Sequence, residues 1–101
     1  YSTAAEWVKQ IRPKTFMELF SGQGAFSFFI QDAVENAIGV EINSEAVVQA
    51  NETAKRNNWN HLSFIASDAS KVRSIIKEHA PEVLLVNPPR RGLGQAVEIF
   101  K

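Results

Sequence analysis

The fold of this chain is decided by residues 16–26, which read Phe16-Met17-Glu18-Leu19-Phe20-Ser21-Gly22-Gln23-Gly24-Ala25-Phe26. The apolar first half predicts a buried strand, and glycines follow directly after it. Gly22 permits a tight turn, and Gly24 would let a ligand approach the backbone without meeting a Cβ atom. A helix that begins near Ala25 would point its free N–H groups at that ligand. The stretch therefore predicts a strand, a glycine loop and a helix that together hold a small molecule.

The composition limits the kind of protein that this chain can be. With 101 residues, of which 45% are hydrophobic, it is long enough for one compact domain with a packed core. The 11 lysines and arginines balance 11 aspartates and glutamates, which weakens, without excluding, a module that binds nucleic acid by charge alone. The chain has no cysteine and only 2 histidines. We therefore expect no disulfide, no cysteine nucleophile and no metal site in it.

The two ends of the chain suggest a portion of a longer protein. The sequence begins at Tyr1 without a methionine and stops at Lys101 inside a periodic apolar stretch. No apolar run approaches the ~20 residues that cross a bilayer, and the start lacks the pattern of a signal peptide. We therefore predict a cytoplasmic protein, of which residues 1–101 are one portion, truncated at both ends.

Helical and strand patterns alternate along the sequence. Apolar strands are predicted at about residues 15–20, 37–42, 61–66 and 82–86. Helices are predicted at about residues 3–12, 25–30, 44–57 and 72–79, and a further helix from about residue 94. Strands separated by helices imply right-handed crossovers and a parallel sheet covered on both faces. The class is therefore α/β, with the fourth strand as an open edge that invites self-association.

Two local details accompany these helices. The spacing of Thr3 and Glu6 predicts a capping box at the start of the first helix. In the helix after the glycine loop, Phe26, Phe29 and Ile30 share one face, and we interpret that stripe as core packing.

Polar and glycine residues gather at the carboxyl ends of the predicted strands. They are the glycine loop at residues 20–24, then Glu41, Asp68 and Asn87. In parallel sheets, ligands bind outside the carboxyl ends of the strands. Glu41 lies close to the offset of about 20 residues from a glycine loop at which an acid accepts hydrogen bonds from ribose hydroxyls. An adenosine-bearing cofactor is therefore predicted.

The loop also discriminates between such cofactors. A dinucleotide fingerprint has a third glycine where this chain has Ser27, so NAD is disfavoured. Glu18, two residues before Phe20, suits a ligand that carries an amino acid, because its carboxylate could meet an ammonium group directly or through water.

These motifs resemble the class I S-adenosylmethionine-dependent methyltransferases and, within them, the RNA 5-methyluridine methyltransferases, in particular the branch that acts on 23S ribosomal RNA. The resemblance spans nearly the whole chain, and its segments are Glu18–Phe26, Gly39–Ile42, Asp68 and Val86–Gly92. It implies a Rossmann-like fold with strand order 3-2-1-4, S-adenosylmethionine as cofactor and ribosomal RNA as partner. An aromatic residue after Asn-Pro-Pro would suggest methylation of an exocyclic amino group, but Arg90 stands there.

The resemblance assigns roles residue by residue. In the family, the residue that matches Phe20 packs near the cofactor, and the one that matches Glu41 holds the ribose. The residue that matches Asp68 lies by the adenine, and the one that matches Asn87 lines the pocket of the methyl donor. Arg90 would contact RNA. The predicted cofactor-binding residues are Glu18, Phe20, Gly22, Gly24, Glu41, Asp68 and Asn87.

The catalytic groups of the family have no match in this chain. These enzymes attack position six of uracil with a cysteine and later remove a proton with a base, and both groups follow the Asn-Pro-Pro-Arg motif. An RNA-binding region, with an iron–sulfur cluster in some members, comes before the part that matches this chain. The 101 residues are therefore predicted to contain no catalytic residue and to be inactive alone.

Other readings of the same residues stay open. The parent protein could instead methylate amino groups of nucleic acid or protein, or the chain could be a non-catalytic module for adenosine binding or assembly. Glu18 and Glu41 could be solvated acids at strand ends, and Asp68 or Ser70 could simply cap the next helix. Arg90 could be surface charge.

Overall fold

A computed structural model of the chain describes residues 2–86 and 96–99. Its helices are α1 (Ser2–Ile11), α2 (Ala25–Phe29), α3 (Ser44–Arg56) and α4 (Val72–His79), with short 3-10 turns at Gln31–Ala33 and Ala69–Lys71. Its strands are β1 (Thr15–Leu19), β2 (Asn36–Glu41), β3 (Leu62–Ala66), β4 (Val83–Val86) and β5 (Ala96–Ile99). None of the helices in these residues is long and apolar enough to cross a membrane.

The strands form one sheet in the order β3-β2-β1-β4-β5. The first four run parallel, and β1 lies between β2 and β4, so that Glu18 stands opposite Gly39 on one side and Leu85 on the other. The predicted α/β class and the strand order 3-2-1-4 are confirmed. All four parallel strands therefore bring their carboxyl ends to one edge of the sheet.

Two predictions about the end of the chain are wrong. The stretch predicted to turn helical from about residue 94 contains β5, which pairs antiparallel with β4, Val86 opposite Ala96. As a result β4 is an inner strand and not an open edge. The unpaired edge from which self-association was predicted is therefore not present at β4. The physical cause is that β4 offers a row of backbone N–H and C=O groups, and a nearby segment with β-branched Val97 and Ile99 can pair with them. Residues 87–95, which include Asn87 and Arg90, lie outside the described residues.

The core has two layers, one on each face of the sheet. Helices α1, α2 and α3 cover the face that carries Phe16 and Leu85, and α4 covers the face that carries Met17 and Leu84. Successive residues of a strand point to opposite faces, which is why Phe16 and Met17 belong to different layers. The glycine loop follows β1 at the carboxyl edge of the sheet.

The aromatic stripe of α2 is only partly in the core. Phe26 and Ile30 are fully buried, but Phe29 is 56% exposed, with the Lys9 ammonium 4.5 Å from its ring centre. Phe28 packs inward instead, edge-on against Phe64. Core packing of Phe29 was therefore the wrong prediction, because a helix of five residues has room for one inward face and the neighbouring Phe28 occupies it.

The helix ends follow local rules with one exception. Helix α1 begins at Ser2, so Thr3 lies inside it and the predicted capping box is not its N-cap. The Asn43 side chain accepts a hydrogen bond from the Ala46 N–H and caps α3, and Asn57 is the C-cap of that helix. With this cap, α3 begins at Ser44, shortly after Glu41.

Candidate functional site

The glycine loop, residues 20–24, is strongly curved and tied to β2. Phe20, Gly22 and Gly24 all have positive φ angles, of 62°, 58° and 92°. The Phe20 and Ser21 N–H groups both donate to the Val40 carbonyl, at 2.7 and 3.2 Å. Left-handed backbone is costly for any residue except glycine, so these bonds hold Phe20 in a conformation that it would not adopt alone.

The two glycines of the loop have different reasons to be glycine. A Cβ atom on Gly24 would lie 2.9 Å from ring atoms of both Phe28 and Phe64, whereas one on Gly22 would have no heavy atom within 4 Å. The sequence explained Gly24 by the space that a missing Cβ atom leaves for a ligand. That explanation is wrong, because the Phe28 and Phe64 rings fill this space. Gly22 is the position of the loop whose Cβ direction is open.

Glu41 connects the loop to the start of α3. Its Oε1 accepts a hydrogen bond from the Gly22 N–H at 2.8 Å, and its Oε2 accepts one from the Asn43 N–H at 3.0 Å. The side chain is half-buried. A carboxylate offers about four acceptor positions, so the two main-chain bonds leave lone pairs for a further donor. Glu41 is therefore more than a solvated acid at a strand end.

Glu18 is a buried acid underneath the loop. Its side chain is fully buried in the middle of the sheet, and the Ser27 hydroxyl donates to its Oε1 at 3.0 Å. The alternative that Glu18 is solvated at a strand end is therefore wrong. The ammonium contact predicted for Glu18 stays a prediction.

Asp68 caps the turn that follows β3. It is exposed, and its Oδ1 accepts hydrogen bonds from the Ser70 hydroxyl at 2.6 Å and from the Ser70 N–H at 3.0 Å. Asp68 thus caps the 3-10 turn at Ala69–Lys71, whereas α4 itself has Lys71 at its N-cap and no side-chain cap. The pKa of the Asp68 carboxyl lies below its ordinary value, chiefly because the Ser70 hydroxyl stabilises the carboxylate, with smaller contributions from the Ser70 N–H and the charge of Lys71.

We expect Ser70→Ala to raise the pKa of Asp68 toward its ordinary value, as measured by an NMR pH titration of the Asp68 side chain. A lowered pKa means that the cap stabilises the fold above the ordinary aspartate pKa, and that this contribution is lost as the pH falls through the lowered value. Ser67→Ala is the control, because the Ser67 hydroxyl donates to the Asp68 carbonyl and not to its carboxylate. Equal pKa values in the wild type and in Ser70→Ala would contradict this account.

A shallow cleft opens at the carboxyl edge of the sheet. Its lining residues come from β1, the glycine loop, β2, the segments after β2 and β3, and the start of α4, and they are Leu19, Phe20, Val40, Glu41, Ile42, Ser67 and Val72. The structure thus brings together two of the predicted residues, Phe20 and Glu41. Asp68 follows the lining residue Ser67 but does not line the cleft itself.

Ile42 is a lining residue that the sequence reasoning missed. It follows Glu41 directly and is 63% exposed, although the periodicity placed it inside the second strand. An exposed aliphatic side chain next to a carboxylate offers an apolar surface beside a hydrogen-bond acceptor. The available signal was an apolar residue directly after a strand-ending acid.

A larger cleft, of about 360 Å³, lies between α2 and α3. Gln23 of the glycine loop and Gln49 of α3 line it, and their side-chain amides are joined by a hydrogen bond of 2.6 Å. It contains neither Phe20 nor Glu41. We therefore take the cleft at the sheet edge as the candidate site, because the residues predicted from the sequence meet there.

Known proteins resemble this chain over most of its length. The family described as "Methyltransferase domain" matches residues 12–86. A protein of Vibrio vulnificus named 23S rRNA (uracil(747)-C(5))-methyltransferase RlmC is 40% identical over 97 residues, and its counterpart of the same name from Vibrio cholerae is 42% identical over 94 residues. The matches cover 96% and 93% of this chain. The chain spans 26% and 25% of the length of these curated relatives.

Solved structures share the fold at low sequence identity. A SAM-dependent methyltransferase from Agrobacterium tumefaciens matches with a TM-score of 0.70 and 20% identity, over 86% of this chain and 31% of that one. A putative caffeoyl-CoA O-methyltransferase from Staphylococcus aureus matches with a TM-score of 0.69 and 9% identity, over 85% of this chain and 55% of that one. These likenesses concern the fold alone.

Proposed function

Because this chain belongs to the methyltransferase domain family, we propose that it is the S-adenosylmethionine-binding part of an RNA uracil-5 methyltransferase that acts on 23S ribosomal RNA. The observation that carries the cofactor assignment is the junction of the glycine loop with Glu41 at the carboxyl edge of a parallel sheet. The names of the RlmC relatives support the substrate. The predicted cytoplasmic location belongs to the same proposal.

The chemistry of the residues at this edge suits an adenosine-bearing ligand, most of which would lie outside the small cleft of about 30 Å³. Glu41 has lone pairs left to accept from ribose hydroxyls, and the exposed side chains of Phe20 and Ile42 line the same cleft. Gly22 offers open space next to the backbone. Bound there, S-adenosylmethionine would supply the methyl group as an electrophilic sulfonium. Glu18, Gly24, Asp68 and Asn87 remain proposed contacts of the same cofactor.

The roles that this chain can fill are binding and orientation. Carbon five of uracil is a weak nucleophile until a thiolate adds at position six, and the chain has no cysteine. We infer that the nucleophile and the base come from other parts of a longer protein. Any iron–sulfur cluster would likewise belong to a part that precedes this chain. Within this chain, Arg90 is the proposed RNA contact.

In the longer protein that carries this chain, Glu41→Ala should weaken S-adenosylmethionine binding by about 1.5–3 kcal/mol, because hydrogen bonds from ribose hydroxyls to a carboxylate are charge-assisted. Isothermal titration calorimetry measures the change. Glu45→Ala is the matched control, since Glu45 is an exposed acid in the first turn of α3. Unchanged affinity in Glu41→Ala would remove Glu41 from the site, and no binding by the wild type would overturn the cofactor assignment.

The reaction is tested with the longer protein that carries this chain. Incubation with labelled S-adenosylmethionine and unmodified 23S ribosomal RNA should give 5-methyluridine in nucleosides analysed by mass spectrometry, and the 101-residue chain alone should give none. Label on an exocyclic amino group would favour the amino-group methyltransferase. Cofactor binding without transfer by the longer protein would favour a non-catalytic module.

A further inference from the structure

We propose that Glu41 is a positioning residue for the glycine loop, which it holds in shape through the Gly22 N–H independently of any ligand. This role is added to the ribose contact proposed above, and only the ligand-binding part of its test rests on that proposed function. Glu41 would then control ligand affinity by two routes, one through the shape of the loop and one through direct contact.

The geometry of the carboxylate carries the proposal. The Gly22 main-chain N–H donates to the Glu41 Oε1 atom at 2.8 Å, although the two residues are 19 positions apart in sequence. The second oxygen accepts from the Asn43 N–H at 3.0 Å, which fixes the orientation of the carboxylate at the end of β2. Hydrogen bonds to a charged acceptor are stronger than neutral ones, so this one can restrain a loop.

The loop needs such a restraint at Gly22 in particular. At Gly24 the chain is held by packing, because the Phe28 and Phe64 rings crowd its Cβ direction. At Phe20 it is held by the hydrogen bond to the Val40 carbonyl. Gly22 lies between these points, has a positive φ of 58° and has open space in its Cβ direction. Packing therefore cannot set its position on that side, and the Glu41 hydrogen bond does.

Amide hydrogen exchange of this chain without ligand tests the restraint directly. Glu41→Ala should accelerate exchange of the Gly22 amide about tenfold, which corresponds to the loss of one charge-assisted hydrogen bond. Glu41→Gln should lie in between, because the glutamine oxygen can still accept from one of the two N–H groups. The intrinsic exchange rate of Gly22 is the same in all variants, since its sequence neighbours do not change.

Two controls separate the local effect from other causes. The Met17 and Leu85 amides of the inner strands report global unfolding, so the ratio of Gly22 exchange to theirs isolates the loop. Glu45→Ala removes an exposed carboxylate close to Glu41 in sequence and should leave Gly22 exchange unchanged. An unchanged Gly22 ratio in Glu41→Ala overturns the proposal while leaving the proposed cofactor untouched.

The second measurement compares two ligands. S-Adenosylhomocysteine and its analogue without the ribose 2′ and 3′ hydroxyls are titrated into the wild type and Glu41→Ala. If Glu41 also shapes the loop, Glu41→Ala should weaken the analogue too, by about tenfold, since that loss does not require ribose contact. Loss of affinity confined to the hydroxyl-bearing ligand would overturn the route from loop shape to ligand affinity. If neither ligand binds the wild type, the proposed function fails and the exchange result still decides the restraint.

Discussion

Replacing Gly39 by alanine is expected to lower the free energy of unfolding by about 3 kcal/mol, because it forces an extra methyl group into a filled space. The new Cβ atom would lie 2.7 Å from the Phe64 Cε1 atom and 2.9 Å from the Ser21 hydroxyl oxygen. The Phe64 ring cannot rotate away easily, since its far edge meets Gly24 and it packs edge-on against Phe28 at 5.7 Å between ring centres. Gly39 is therefore the point where β2 makes room for a ring of β3.

Urea unfolding of Gly39→Ala measures this loss, and a second substitution tests its cause. If the Phe64 ring is the obstacle, Phe64→Leu should restore part of the stability in the double variant, which the coupling free energy of a double-mutant cycle reports. Gly22→Ala is the matched control, because a Cβ atom there meets nothing and only the positive φ is penalised, at about 1–2 kcal/mol. A Gly39→Ala variant as stable as the wild type would show that the ring adapts.

Removing the hydroxyl groups of two buried serines is expected to have opposite effects. Ser27→Ala should cost about 2 kcal/mol, because the Ser27 hydroxyl donates to the carboxyl of fully buried Glu18. Ser21→Ala should stabilise the fold by about 1 kcal/mol. Its hydroxyl is buried, and within the described part of the chain it has no hydrogen-bond partner, so the substitution removes a desolvated group that gains nothing.

Urea unfolding of both variants in one buffer gives the change in the free energy of unfolding for each. Both substitutions remove the same side-chain volume. Because each substitution deletes one hydroxyl oxygen, packing losses are matched and the hydrogen bond is the main difference. The expectation is contradicted if the two variants change stability in the same direction. A stabilised Ser21→Ala would also show that the loop tolerates a small apolar residue at this position.

Local features of the site could be predicted from the sequence because they depend only on residues that are close together in the chain. The strand, glycine loop and helix at residues 15–29 depend on the side-chain period and on backbone freedom at Gly22, which neighbouring residues determine. The position of Glu41 at a strand end follows in the same way. The strand order came from the resemblance to a known family, and the sheet confirms it.

Contacts between distant segments could not be predicted in this way. Periodicity placed Phe29 of α2 in the core, whereas the structure turns Phe28 inward, because the choice depends on where Phe64 of β3 lies. It predicted a helix where β5 stands, because it takes no account of the edge that β4 offers. Helix or strand preference in a short apolar run is weak compared with an available row of backbone partners.

By itself the sequence determined the strand–loop–helix unit, the acids at the strand ends and the absence of a cysteine nucleophile. Only the tertiary structure decided that Gly24 and Gly39 make room for the Phe64 ring, and that Glu41 holds Gly22. The reason is that side-chain period and turn chemistry act over a few residues, whereas these contacts join β1, β2 and β3. They exist only once the strands have paired in their register.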